Sequence, residues 1–116
     1  MIWRIRDRDT FVALRRRGRR VRSGPVWISY LLDEPGTPPH PPRVAFAFGR
    51  RHGNAVSRNA LRRRCRAVVA GAVREGIAIP PGAYLIGGGT STGSLPYADL
   101  ERHVRRCLAD VGSGRS

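Results

Sequence analysis

The chain has 116 residues, 41% of them hydrophobic, and a formal net charge of +14. That length and apolar fraction suit one folded domain around a single small core and exclude both a second core and a wholly disordered chain. No apolar run approaches the roughly 20 residues of a membrane span, and nothing apolar follows the arginine-rich N-terminus to make a signal peptide, so the sequence reads as cytoplasmic.

In chain order, "DRDTFVALRRR" (residues 7–17) predicts a short helix capped by Asp9, with Phe11 and Leu14 on one face and Gly18 ending it. "RRVRSGPVWISYLL" follows, β-branched and aromatic, with a Ser-Gly-Pro interruption that splits it into two short strands or bends one. "DEPGTPPHPP" is a loop, because its prolines cannot donate to a ladder. "RVAFAFG" then reads as a buried strand ending at Gly49. Phe46 and Phe48 share its core face, and Ala45, Ala47 and Gly49 leave the other face smooth enough for a nucleic-acid strand to approach.

Gly53 and Asn54 form a turn and cap before a long helix whose buried stripe is Leu61, Cys65, Val68, Val69 and Ala72. At about 100° per residue, Arg58, Asn59, Arg62, Arg63 and Arg66 fall within an arc of roughly 140° beside that stripe, with Arg64 on the other flank. After Gly76 and the Pro80-Pro81 pair, "GAYLIGG" is a short buried strand and "GGTSTGS" a flexible link. The last helix runs from Pro96 to Val111, with Tyr97, Leu100, Val104, Cys107, Leu108 and Val111 as its apolar stripe. The order α-β-β-β-α-β-α predicts a small α+β sandwich, one central sheet with helices packed on it.

Every basic residue is arginine, and the excess over eight acids is segregated. Residues 1–22 carry nine arginines against Asp7 and Asp9, and residues 43–74 carry nine with no acid at all. The Ala-, Gly- and Pro-rich composition of a GC-rich genome accounts for the missing lysine but not for this imbalance. Self-repulsion of such strength is relieved by a polyanion, whose phosphates match arginine's planar fork.

Catalytic candidates are weak. Cys65 and Cys107 sit on apolar stripes as buried reduced thiols, and His40, His52 and His103 have no zinc-site spacing. Asp7 and Asp9 serve better as caps and charge balance than as an acid–base pair. Gly87 to Gly89 lack the Gly-Lys-Ser/Thr of a phosphate loop, and Ser91 and Ser94 lack a nucleophile elbow. The expectation is no catalytic residue and no metal ligand in this chain. Trp27 and Tyr30 read as core, and Phe11, on a helix otherwise rich in arginine, is the best candidate to stack on a base.

"RVAFAFGRRHGNAVSRNALRRRCR", Arg43 to Arg66, resembles the signature of the bacterial ribonuclease P protein subunit: a strand, two basic residues, Gly-Asn-Ala-Val, then an Arg-Asn pair opening an arginine-rich helix. "DTFVALRRRG" is similar to that family's Phe-containing first helix and "SLPYADLERHVRRCL" to its last. The resemblance implies one α+β domain over residues 1–116, ribosomal protein S5 domain 2-like with a left-handed crossover; the ends at 1–6 and 112–116 read as flexible. It implies a protein that assists an RNA enzyme in removing the 5′ leader of precursor tRNA, with Mg2+ held mainly by the RNA and no obligate protein partner. On that basis Asn54, Arg58, Asn59, Arg62, Arg63 and Arg66 would face the catalytic RNA. Phe11, Arg15, Ala45, Ala47, Arg50 and Arg51 would line a cleft for the single-stranded leader.

The chain departs from the family pattern at four places. Ala60 stands where a third member of an Arg-Asn-Arg triplet is expected, and Arg15 where a second aromatic would follow Phe11. Gly89 replaces a basic residue after the late strand, and Ser29 falls where the early strand carries tyrosine. Arg15 can still stack through its guanidinium plane. The rival readings are a basic ribosomal protein or RNA chaperone, which would bind RNA without promoting cleavage, and a protein-only nuclease, for which no carboxylate cluster is in view. A DNA-binding helix-turn-helix is opposed by the strands around the basic helix.

Overall fold

The computed structural model describes residues 2–38 and 40–113. Strand β1 (Trp3–Arg4) leads into helix α1 (Arg8–Arg17), followed by β2 (Arg19–Ser23), β3 (Val26–Leu32) and β4 (Arg43–Phe46). Helix α2 (Ala55–Arg74), strand β5 (Gly82–Gly88) and helix α3 (Tyr97–Gly112) complete the chain. One five-stranded sheet has the order β1-β4-β5-β3-β2, with β1, β4 and β5 parallel and β3 and β2 antiparallel to their neighbours. The α+β sandwich read from the sequence is present, with one strand more.

Alternation along the strands decides which helix covers which face. Val26, Ile28 and Tyr30 of β3, Val44 of β4 and Tyr84 and Ile86 of β5 point to the main core, where the stripes of α2 and α3 meet them. The other face is closed only in part, by α1, whose Leu14 packs with Ile5 and Ala83 while Phe11, Leu31, Ala45 and Leu85 lie against them. The 20 residues of α2 carry one apolar stripe, and all five positions expected in it are buried.

Several local expectations are corrected. Asp7, not Asp9, caps α1. Its carboxylate accepts from the Thr10 amide at 3.0 Å and from the Thr10 hydroxyl, which holds its pKa below the usual 3.8. Residues near the N-terminus, expected as a loose end, supply β1: the Trp3 amide donates to Pro42 O and the Ile5 amide to Val44 O. Residues 114–116 of the other end lie outside the described residues. The two-strand alternative holds for residues 19–32, because Gly24 takes a φ of 56° and turns β2 into β3. Strand β4 ends at Phe46 rather than Gly49, although the Ala47 amide still donates to Ile86 O.

The link after β5 is ordered, not flexible. Thr90–Ser94 form a 3-10 helix in which the buried Thr92 hydroxyl donates to Gly89 O at 2.7 Å. Pro96 is the N-cap of α3 and not its first residue, and the helix runs one residue past Val111. Tyr97 is 45% exposed and leaves the apolar stripe, because it occupies the uncovered first turn.

Candidate nucleic-acid interface

The arginines of α2 stand beside its buried stripe on a helix fixed at its start by Asn54. Asn54 Oδ1 accepts from the Ser57 amide at 2.9 Å, so the residue expected to touch RNA is first of all the cap. Asn59 and Arg63 are exposed, and Arg58 is half-buried with only a long 3.5 Å contact from Nε to Asn54 O. Arg66 lies 5.2 Å over the Phe46 ring. Among the described residues none of these arginines pairs with a carboxylate. The ion pairs formed by acids use His40, Arg43, Arg102 and Arg105 instead.

Arg62 is different. It donates from Nη1 to Asn59 Oδ1 at 2.9 Å and from Nη2 to the Phe48 carbonyl at 3.0 Å, tying α2 to the chain just beyond β4. Its position off the apolar stripe suggests that folding is indifferent to it, but this strut says otherwise. Arg62→Ala is therefore expected to cost about 1–2 kcal/mol of stability as well as RNA affinity. A thermal melt unchanged from the parent would show that the strut contributes nothing. Arg64, on the opposite flank, donates to the Leu95 and Gly93 carbonyls and braces the approach to α3.

The second surface is the half of the sheet that α1 leaves open. A cavity of about 280 Å³ is lined by Phe11, Arg15, Arg20, Ser29 and Leu85. Another, of about 300 Å³, is lined by Arg22, Trp27, Arg51 and His52 with the Gly88–Gly89 backbone. The Arg20 guanidinium sits 4.1 Å over the Trp27 ring and donates to Ser29 Oγ, so this pair lies between the two cavities. Trp27 can lie flat on the sheet because its β5 neighbour is Gly87, where a Cβ would come within 2.3 Å of the indole.

Of the expected leader-cleft residues, Phe11, Arg15, Ala45 and Arg51 are brought to this face, at two ends. Phe11 and Arg15 are at one end and Arg51 at the other, with Ala45 packed beneath α1 and Ala47 half-buried beyond β4. Arg50 is exposed on the 3-10 helix Arg50–His52 and lines neither cavity. Trp27, read from the sequence as core, lies instead on this open face, and Arg20 and Arg22 were not among the expected residues either. The signal for Trp27 was its place in the alternation: with Val26, Ile28 and Tyr30 inward, Trp27 and Ser29 must face outward.

Four of the eight acids collect elsewhere. Asp7, Asp9, Asp33 and Glu34 line a cavity of about 420 Å³ at the N-terminal end of α1, where Asp33 contacts His40 and sits 3.3 Å from Arg43. Among the described residues no three His, Cys, Asp or Glu side chains gather as a metal site. Cys65 and Cys107 are buried in the main core, and burial pushes both thiols up to about 12 from 9.0. They should resist thiol reagents in the native state and react at once in denaturant. Because the unfolded chain loses these protons at lower pH than the folded one, they also weaken stability as pH rises above about 9. Rapid native labelling at neutral pH would contradict their placement.

A family model described as Ribonuclease P matches residues 2–112. A ribonuclease P protein component from a Nocardioides species is 35% identical over 112 residues, covering 95% of this chain and 92% of that protein. The Staphylococcus aureus RNase P protein structure superposes with a TM-score of 0.78 at 16% identity over 94% of each chain. The Thermotoga maritima RNase P protein gives 0.74 at 16% identity, over 90% of this chain and 94% of that one. A match running from β1 through α3, together with two carboxylate-free arginine surfaces on one small sheet, leaves a single conclusion: the chain belongs to the ribonuclease P protein family, as the protein component of an RNA-containing endoribonuclease.

Proposed function

We propose that α2 docks on the catalytic RNA while the open sheet face, from Phe11 and Arg15 past Arg20 and Trp27 to Arg51, holds the single-stranded 5′ leader of precursor tRNA. The observation that carries this reading is the Arg20–Trp27 pair lying on the sheet between two arginine-lined cavities. Stacked aromatics and guanidinium groups bind unpaired bases with little sequence preference, which suits a leader that varies between precursors.

In this proposal the chemistry belongs to the RNA. Hydrolysis of the phosphodiester to leave a 5′-phosphate needs an activated water, which Mg2+ would supply. We assign that ion to the RNA. What the protein contributes is position and charge: its arginines bring two polyanions together, and the release of their counterions favours the assembly. The setting we assign is the cytoplasm; no helix among the described residues is long and apolar enough to cross a membrane.

Reconstitution tests this. With catalytic RNA at low Mg2+, the protein should increase single-turnover cleavage of precursor carrying a leader more than of precursor lacking one, and less so as salt rises. Trp27→Ala should weaken binding of leader-bearing precursor about tenfold by loss of one stacking contact. Equal losses with and without a leader would remove Trp27 from the cleft.

A further inference from the structure

We propose that Arg4 and Arg6, at the N-terminal edge of the sheet, combine with Arg66 of α2 in a second phosphate-binding pocket for the catalytic RNA. This rests on the reading that α2 faces that RNA. A cavity of about 570 Å³ is lined by Ile2, Trp3, Arg4, Arg6 and Arg66, three guanidinium groups and no acid. Among the described residues, Arg4 and Arg6 form no ion pair and both side chains are exposed.

Strand alternation builds the pocket. Ile5 is 6% exposed and packs under α1, so Arg4 and Arg6 on either side of it turn toward the α2 side of the sheet. The Trp3 and Ile5 amides donate to Pro42 O and Val44 O, and Arg4 pairs with Val44, so Arg4 projects from fixed backbone while Arg6 sits between the bonded Ile5 and the Asp7 cap of α1. Holding a phosphate then costs side-chain entropy but no ordering of a tail. Three cations around one concavity select an anion, and arginine's fork favours phosphate oxygens. The choice of RNA follows from continuity. Arg66 belongs both to the pocket and to the ridge that runs along α2 through Arg62, Arg63 and Arg58, so one sugar-phosphate backbone can cross from ridge to pocket.

The test uses the full chain, with the ribonuclease P RNA of the same source and no precursor present. Arg4→Gln with Arg6→Gln should weaken filter binding to that RNA about 10- to 30-fold. It should also make the plot of log affinity against log salt shallower by about 1.4–1.8, the loss of two phosphate contacts. Melting temperature should stay put, since both side chains are exposed; if the double variant melts early, Arg6→Gln alone, outside β1, decides by its salt slope. Arg63→Ala, exposed and outside the pocket, reports on the α2 face. Weakening by Arg63→Ala with none from the N-terminal pair overturns this pocket alone, whereas no effect from either overturns the docking of α2 as well. A loss confined to precursor binding would assign the pocket to the substrate and likewise overturn the inference.

Discussion

Phe48→Ala is expected to destabilise the protein by about 3–5 kcal/mol and lower its melting temperature on the order of 15 °C. Phe48 is 1% exposed and among the largest fully buried side chains of the main core. Its ring stacks on Phe46 with centroids 6.4 Å apart and meets the edge of His52 at 5.2 Å, so removal opens a cavity bordered by rings that cannot collapse far. The same residue's carbonyl accepts from Arg62, which joins the core defect to the arginine ridge. A domain of this size holds only about 5–15 kcal/mol, and a net charge of +14 subtracts from it through self-repulsion. Sulfate, which binds the folded arginine surfaces better than the unfolded chain, should therefore recover part of the lost melting temperature. Melts with and without sulfate check both halves. A fall of only a few degrees would mean that the rings repack, and that this junction is not what holds β4 to α2.

The long amphipathic helix was fully legible because burial and period agree: one stripe of five residues, one cap, one face left over. The small elements were not. Strand β1 has two residues, one of them arginine, so no run of alternation announces it. The cap of α1 was misplaced by two residues, since Asp7 and Asp9 are the same residue type. What separates them is Thr10, three residues after Asp7, which offers both an amide and a hydroxyl to that carboxylate. At the site, the helical arginines could be placed from the sequence, but the open sheet face needed the register. Ser29 opposite Arg20 and Gly87 opposite Trp27 are cross-strand relations, and neither can be seen along the chain alone. The same holds for Arg4 and Arg66, which are far apart in sequence and meet only because β1 joins β4 in parallel.

Arg58→Ala combined with Arg63→Ala should weaken binding to the ribonuclease P RNA about 100-fold while leaving the melting temperature nearly unchanged. A guanidinium–phosphate hydrogen bond contributes about 1.5 kcal/mol or more, roughly tenfold in affinity for each contact. Arg63 is exposed and Arg58 makes only the long contact to Asn54 O, so neither has much to lose in the free protein. The salt dependence should become shallower by about 1.4–1.8 in the logarithmic slope, as two fewer counterions are released. Arg64→Ala supplies the contrast. That residue carries the same charge on the same helix, but its donors are engaged by Gly93 and Leu95 carbonyls on the other flank. It should lose stability and keep the salt slope. If Arg64→Ala weakens RNA binding as much per charge as the Arg58 and Arg63 pair, the attraction is a diffuse field rather than a face. At about 0.1 M salt the screening length is roughly 10 Å, close to the width of a helix, so the two flanks of α2 are distinguishable only through direct contact. Equal losses would then remove the reason for assigning the RNA to one side of α2.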